Sequence, residues 1–374
     1  MKLIRFLSLL FLLLLCVLLC SCRLSRAKRN IPYSELGIPA SEQYADGITA
    51  RSPWDMIVWN GYLYVGLGDF DANAGPIGIP RLNLQTSQWE NGAPLPEEEC
   101  NRFRMIDGRL TFPGIDPKES WELGNYYVLE NGEWIQQRVI PNGVHTFDMA
   151  ECDGLIFASL GVPAGDSPFA VSDDGGKTFR PVKMVKDDRL IDTSEYDLVR
   201  SYDLFVLGGK VYATFLYQRG TEHGYELYRY EDGRFTYDND WLGKVRRMSI
   251  TYKLIFDQAV LNDRLYLATG ALYVTKDMNE ISRIKLPNSE IVYDVAVENG
   301  QLYALCGVTR EDGSVLVSVW KQTREKSHVF SRLFDFTYPI PPLSFALRDG
   351  VFYIGMSDTV NQNEKNGMIL QIEY

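Results

Sequence analysis

The sequence predicts an all-β fold assembled from repeats, on the strength of three observations. One phrase recurs seven times: an apolar stretch, a turn pair, then a second apolar stretch rich in Tyr or Phe. The turn pairs are those that close two-residue hairpins, with both central residues at positive φ. The interval between copies leaves room for four short strands per repeat.

The phrase reads MIVWNGYLYVG at 56–66, MIDGRLTFPG at 105–114 and MAECDGLIFASLG at 149–161. It returns as LFVLGGKVYATF at 204–215, QAVLNDRLYLATG at 258–270, VAVENGQLYALCG at 295–307 and FALRDGVFYIG at 345–355. The second turn residues are Gly61, Gly108, Gly154, Gly209, Asp263, Gly300 and Gly350, at spacings of 47, 46, 55, 54, 37 and 50 residues. Second hairpins follow inside several units, about Asn131-Gly132 and Asp232-Gly233. Four-stranded antiparallel units at this period predict a seven-bladed β-propeller, whose ring closure protects sheet edges. Six or eight blades follow if a divergent unit is miscounted. The seventh unit ends one strand short, and residues 46–51 are the expected donor of its outer strand.

The N-terminus reads as a targeting segment. Lys2 and Arg5 precede an apolar run at 6–19, and Leu19-Cys20-Ser21-Cys22 follows. These four residues resemble the bacterial lipobox, which implies diacylglycerol on Cys22 and a mature chain starting there. An uncleaved anchor is the alternative, because Arg23, Arg26, Lys28 and Arg29 would hold the body in the cytoplasm. The run itself is short of the roughly 20 residues that span a bilayer. The domain reading is therefore a lipoprotein signal peptide at 1–22, a basic linker and tether at 23–45, and the propeller at 46–374.

Beyond residue 30 the chain carries 32 basic against 49 acidic side chains, a net charge of −17. That balance excludes a nucleic-acid-binding body, which needs a clustered basic face. Cys100, Cys152 and Cys306 match no zinc spacing and read as small hydrophobes. His145, His223 and His328 fall in different units, so neither a histidine metal site nor a Ser/His/Asp triad is indicated.

Ser172-Asp173-Asp174-Gly175-Gly176-Lys177-Thr178-Phe179 matches the Asp-box at every fixed position, and the chain resembles the broad group of Asp-box propellers that includes sialidases. The resemblance implies a structural role for Ser172, Asp174, Gly176, Thr178 and Phe179: the Asp accepts backbone hydrogen bonds and the aromatic ring packs between strands. It carries over no catalytic residue. Ile79-Pro80-Arg81 has the sialidase Arg-Ile-Pro residues in the wrong order, and only one box is present.

The most regular polar feature lies six positions before each second turn residue. Asp55, Asp148, Asp203, Asp257 and Asp294 occupy it in five units, with Arg102 and Ser344 in the other two. These seven side chains are expected to ring one mouth of the central channel. As a structural device each Asp would cap backbone N–H groups of its own strand or the neighbouring blade. As a functional one the ring would draw in a cation such as calcium, although no cofactor or metal is required. The run Glu97-Glu98-Glu99 reads as a solvated loop.

Long loops between second and third strands share the face of the Asp ring. Trp121 and Tyr217, on or beside two of them, are the candidates for stacking against a ligand. The expected function is a lipid-anchored, extracytoplasmic, monomeric binding module for a glycan or an envelope protein. Two alternatives stand beside it: a glycoside hydrolase or lyase on a sialidase-like propeller, and a scaffold for envelope protein assembly. A hydrolase should bring two carboxylates within about 5–10 Å at this mouth.

Overall fold

The computed structural model describes residues 28–44, 47–69, 71–247, 257–287, 290–324, 328–361 and 363–374. Residues 1–22, the expected targeting segment with Cys22, lie outside the described residues. Among the described residues no helix is long and apolar enough to cross a membrane.

All seven predicted hairpins are present. Asn60 and Gly61 have φ of 48° and 80°, and the pair Asn299-Gly300 repeats this at 50° and 68°. Asn tolerates this left-handed region and Gly has no Cβ to oppose it, so the turn twists with its strands. Register follows from the turn: Asp55–Trp59 runs against Tyr62–Gly66, with Trp59 opposite Tyr62 and Asp55 opposite Gly66.

The hairpins do not make seven separate blades. Among the described residues there are five four-stranded antiparallel sheets, with innermost strands Asp55–Trp59, Arg104–Ile106, Asp257–Leu261, Ile291–Glu298 and Pro342–Arg348. The third and fourth repeats instead belong to one eleven-stranded sheet. Its joint is the strand Leu198–Arg200, which pairs with Gly161 and Val162 on one side and with Leu216–Gln218 on the other. A second link is parallel, Met184 and Val185 against Phe235 and Thr236. The seven-blade count is thus corrected to five four-stranded blades plus this larger sheet. A repeat search registers hairpins, and the connecting segment 183–200 pairs with the sheets on either side of it.

Inner strands of neighbouring repeats pack side by side around a central channel. Between sheets the core is aromatic: Phe112 stacks on Tyr127 at 4.6 Å, with Trp134 edge-on at 4.8 Å. Phe169 and Phe235 meet at 4.2 Å across the fused sheet. Each such buried ring contributes about 2 kcal/mol through burial alone. A short helix, Trp241–Arg247, buries Trp241, Leu242 and Val245, an element the repeat pattern did not announce.

The last blade does borrow an N-terminal strand, but from a different place. Ser34–Gly37 pairs antiparallel with Ile369–Glu373, giving the order Ser34–Gly37, Ile369–Glu373, Val351–Met356, Pro342–Arg348. The expected donor at 46–51 contains a 3-10 turn, Ile48–Arg51, instead. Upstream, Lys28 bridges Phe334 in parallel, and Ile31 N–H donates to Asp335 O at 3.0 Å.

Candidate functional site

The acidic position stands at the mouth-side end of the inner strand, where strand amides lack a ladder partner on the channel side. Asp55 Oδ1 accepts from Met56 N at 2.8 Å, and its Oδ2 accepts from Phe103 N at 2.7 Å in the next repeat. Asp148 does the same with Met149 N at 2.8 Å and Leu204 N at 2.9 Å. Asp294 repeats it with Val295 N at 2.6 Å and Phe345 N at 2.9 Å. One carboxylate therefore caps two successive inner strands. Ser344 Oγ, in the last repeat, donates to Pro53 O of the first at 2.5 Å.

Arg102 fills the acidic position of the second repeat and turns the ring into an ion network. Its guanidinium pairs with Asp148 and, at 3.2 Å, with Asp203. Arg104, two residues on, makes a two-pronged contact to Asp148 at 2.7 and 2.8 Å. Asp203 also accepts from the Tyr225 hydroxyl at 3.3 Å. Burial opposes the charge on Arg102, but Asp148, Asp203, Asp257 and Asp55 outweigh it and hold its pKa above the ordinary value. Burial likewise opposes ionisation of Asp148, and Arg102 and Arg104 more than offset it, so its pKa lies below the usual carboxylate range. Five carboxylates against two guanidinium groups leave the ring with three formal negative charges.

Four members of the ring line a channel cavity of about 460 Å³. Asp55, Asp257, Asp294 and Arg102 line its polar end, and Val58, Ala259, Val260, Val297 and Leu347 line its walls. Among the described residues no group of three or more His, Cys, Asp or Glu side chains is arranged to hold a metal ion.

The acidic run beside the ring is not solvated. Glu97, Glu98 and Glu99 are all buried, which corrects the loop reading. They thread between the mouth loops of the first two blades, where Glu99 bridges Gly68 and Ile115. A Cβ on Gly68 would stand 2.3 Å from the backbone oxygen of Glu98, and one on Gly75 2.3 Å from that of Glu97, so glycine lets these segments close. Glu97 Oε1 accepts from Asn125 Nδ2 at 2.6 Å and from the Tyr127 hydroxyl at 2.8 Å, while Oε2 has no hydrogen-bond partner. Burial, with help from Glu119 and Asp116, pushes its pKa up to about 7 against those two hydrogen bonds. Glu98 pairs with Lys118.

Two carboxylates do converge here. The Asn125 amide that binds Glu97 also reaches Glu119 Oε2 at 3.4 Å, and Arg138 pairs with Glu119 at 3.0 Å. Glu97, however, is 0% exposed, sealed from any ligand in the mouth. The sequence missed Glu97, Asn125 and Arg104. The flanking glycines Gly68, Gly75 and Gly114 were the available signal that the Glu run was tightly enclosed.

Trp121 is 61% exposed on the second blade's mouth loop. Tyr217 is more committed: it packs against Tyr196 at 5.0 Å and Phe215 at 5.5 Å, and a Cβ on Gly224 would overlap its ring. It lines a groove of about 250 Å³ with His223, Gly224 and Tyr225, and Trp121 is not part of that lining. The two stacking candidates therefore do not share this groove.

At 172–179, Asp174 accepts from Thr178 N at 3.0 Å and from Thr178 Oγ1 at 2.7 Å, and from Ser172 Oγ at 2.8 Å. The Thr178 hydroxyl and amide, then Ser172, bring its pKa down to about 2. Gly176 N–H donates to Ser172 Oγ at 2.9 Å, and Phe179 packs edge-on to Tyr126 at 6.0 Å. Cys100, Cys152 and Cys306 are free thiols.

No protein-family model and no curated protein matches this sequence. Among solved structures the chain is similar to PorZ of Porphyromonas gingivalis, an essential bacterial surface component of the type-IX secretion system. The TM-score is 0.51 at 14% identity, over 86% of this chain and 46% of that one. It is also similar to a chain of the mitotic checkpoint complex, with TM-score 0.50 and 10% identity over 85% of this chain and 90% of that one. Hydrazine synthase of Kuenenia stuttgartiensis gives TM-score 0.50 and 10% identity over 86% and 96%. At such identities the fold alone is shared. The chain is a β-propeller, and it spans about half the length of PorZ.

Proposed function

We propose that this chain is a lipid-anchored, extracytoplasmic binding module that recognises a glycan or an envelope protein through the loop-rich mouth of its propeller. The observation that carries the reading is the division of labour at that mouth. The ring carboxylates of Asp55, Asp148 and Asp294 each use both oxygens on backbone amides, while Trp121 projects into solvent from a loop on the same face. A rigid rim with exposed aromatic groups on its loops suits recognition without turnover. The lipobox-like Leu19-Cys20-Ser21-Cys22 supports the address, with Cys22 as the lipidated residue. The Asp-box likeness at 172–179 supports placing the chain among Asp-box propellers.

One observation favours a second reading, a glycoside hydrolase: Glu97 and Glu119 share the Asn125 amide, and burial raises the pKa of Glu97 to about 7. The burial of Glu97 ranks it second. A glycan array and an envelope-protein pull-down, each repeated with Trp121→Ala, test the binding reading. Binding lost in the variant, with stability unchanged, is the expected result. Unchanged affinity would move the site away from this mouth, and turnover of an arrayed glycan would promote the hydrolase.

A further inference from the structure

We infer that the anchored protein stands with its hairpin-turn face against the phospholipid bilayer and its loop-rich mouth turned away from it. The inference rests on the anchor reading above and adds the direction in which the site is presented.

The direction is set by how the chain enters the fold. Residues 28–33 run parallel to the outer strand Val329–Tyr338: Lys28 N donates to Leu333 O at 3.2 Å, and Ile31 N to Asp335 O at 3.0 Å. That outer strand climbs from the turn face to the mouth. Tyr338 pairs with Val315 and so with Thr309 at the mouth, whereas Gln301 pairs with Glu298 at the Asn299-Gly300 turn. A chain running upward at Lys28 arrives from the turn face. Lys28 Nζ lies 4.4 Å from the centre of the Tyr374 ring, and Tyr374 N donates to Gly350 O, in the hairpin turn of the last blade.

The tether is short. Six residue steps separate Cys22 from Lys28, at most about 20 Å of extended chain. The nine-residue strand Gln301–Thr309 makes the blade about 27 Å tall. Lys28 sits alongside Phe334, five residue steps above the turn end of its strand, or about 17 Å. An extended chain continuing the line of residues 28–31 downward would reach just past the turn face. To reach the mouth it would have to reverse first and then clear the loops at 310–314 and 357–367. Arg23, Arg26 and Lys28 fall in this interval, with Arg29 beside it, suited to an anionic headgroup layer.

The test uses full-length lipidated protein in phosphatidylcholine–phosphatidylglycerol vesicles carrying a headgroup-linked quencher. In a Cys152→Ser background, a fluorophore is placed at Lys210→Cys or Glu373→Cys, exposed on the turn face, or at Asp312→Cys, exposed in a mouth loop. Both turn-face labels should be quenched several-fold more than the Asp312→Cys label. Equal or stronger quenching at Asp312→Cys, on protein that sediments with the vesicles, would overturn the orientation and leave the anchor standing. Protein that stays in the supernatant would overturn the anchor and the orientation together.

Discussion

Asp294 holds the start of its own inner strand and the start of the next, accepting Val295 N at 2.6 Å and Phe345 N at 2.9 Å with separate oxygens. The bond to Phe345 crosses from one blade to its neighbour, so it stabilises the ring as well as the strand. Asp294→Ala orphans two amides at once. Stability should fall by about 2–4 kcal/mol, at the usual cost of about 1–2 kcal/mol per unmade buried bond. Urea unfolding measures it, and a loss below that of an exposed control such as Asp312→Ala would refute the capping role.

Arg102→Met should be more severe. It leaves Asp148 and Asp203, both 0% exposed, without their shared guanidinium. Removing one partner of a buried ion network costs about 3–5 kcal/mol. The triple change Arg102→Met, Asp148→Asn, Asp203→Asn should recover part of that loss, and no recovery in a melting experiment would mean the charges are solvated in solution.

Glu97 predicts a pH dependence whose sign follows from its raised pKa. The folded chain holds this proton up to about pH 7, against an ordinary value of 4.5, so the folded state binds it more tightly than the unfolded state. Stability from this group is therefore greatest below about 4.5 and falls as pH climbs to about 7, then levels off. The groups facing it are Glu119, Asp116, Tyr127 and Asn125, with Arg138 behind Glu119. Glu97→Gln should flatten the slope, gaining on wild type by up to about 3 kcal/mol at pH 8 relative to pH 4. Parallel unfolding curves at the two pH values would reject this assignment.

Deleting residues 31–38 should lower the melting temperature sharply, because Ser34–Gly37 is the edge partner of Ile369–Glu373. Deleting residues 23–27 should leave it unchanged. Equal melting temperatures for the two deletions, measured by calorimetry, would dismiss the terminal strand as a stabilising element.

Labelled palmitate should enter the full-length chain and fail to enter Cys22→Ser. Equal labelling of both, or of neither, would remove the lipid anchor.

The hairpins were legible residue by residue because turn chemistry is local: Asn60-Gly61 or Asp349-Gly350 fixes a turn whatever surrounds it. Blade number was not, since Leu198–Arg200 belongs to two neighbours and carries no repeat signature. The acidic position stands out from spacing alone, as six residues from a hairpin turn define a strand end. Its partners could not, because Phe103, Leu204 and Phe345 contribute only backbone amides, which every residue has. Glu97-Glu98-Glu99 misled for the opposite reason. Charge in sequence predicts solvent, and only the glycine-lined contact between two loops explains its burial.

The pairing of Ser34–Gly37 with Ile369–Glu373 also imposes an order of events during synthesis. Ser34–Gly37 has as its partner Ile369–Glu373, which follows all the other blade strands in chain order. Until Ile369–Glu373 is available Ser34–Gly37 has no partner edge, and the blade of Pro342–Arg348 and Val351–Met356 is incomplete. A chain stopped before residue 369 could build its other blades and still never close. Docking of Ile369–Glu373 onto Ser34–Gly37 is thus the step that joins the two ends of the ring, and a chain lacking it leaves a strand edge exposed.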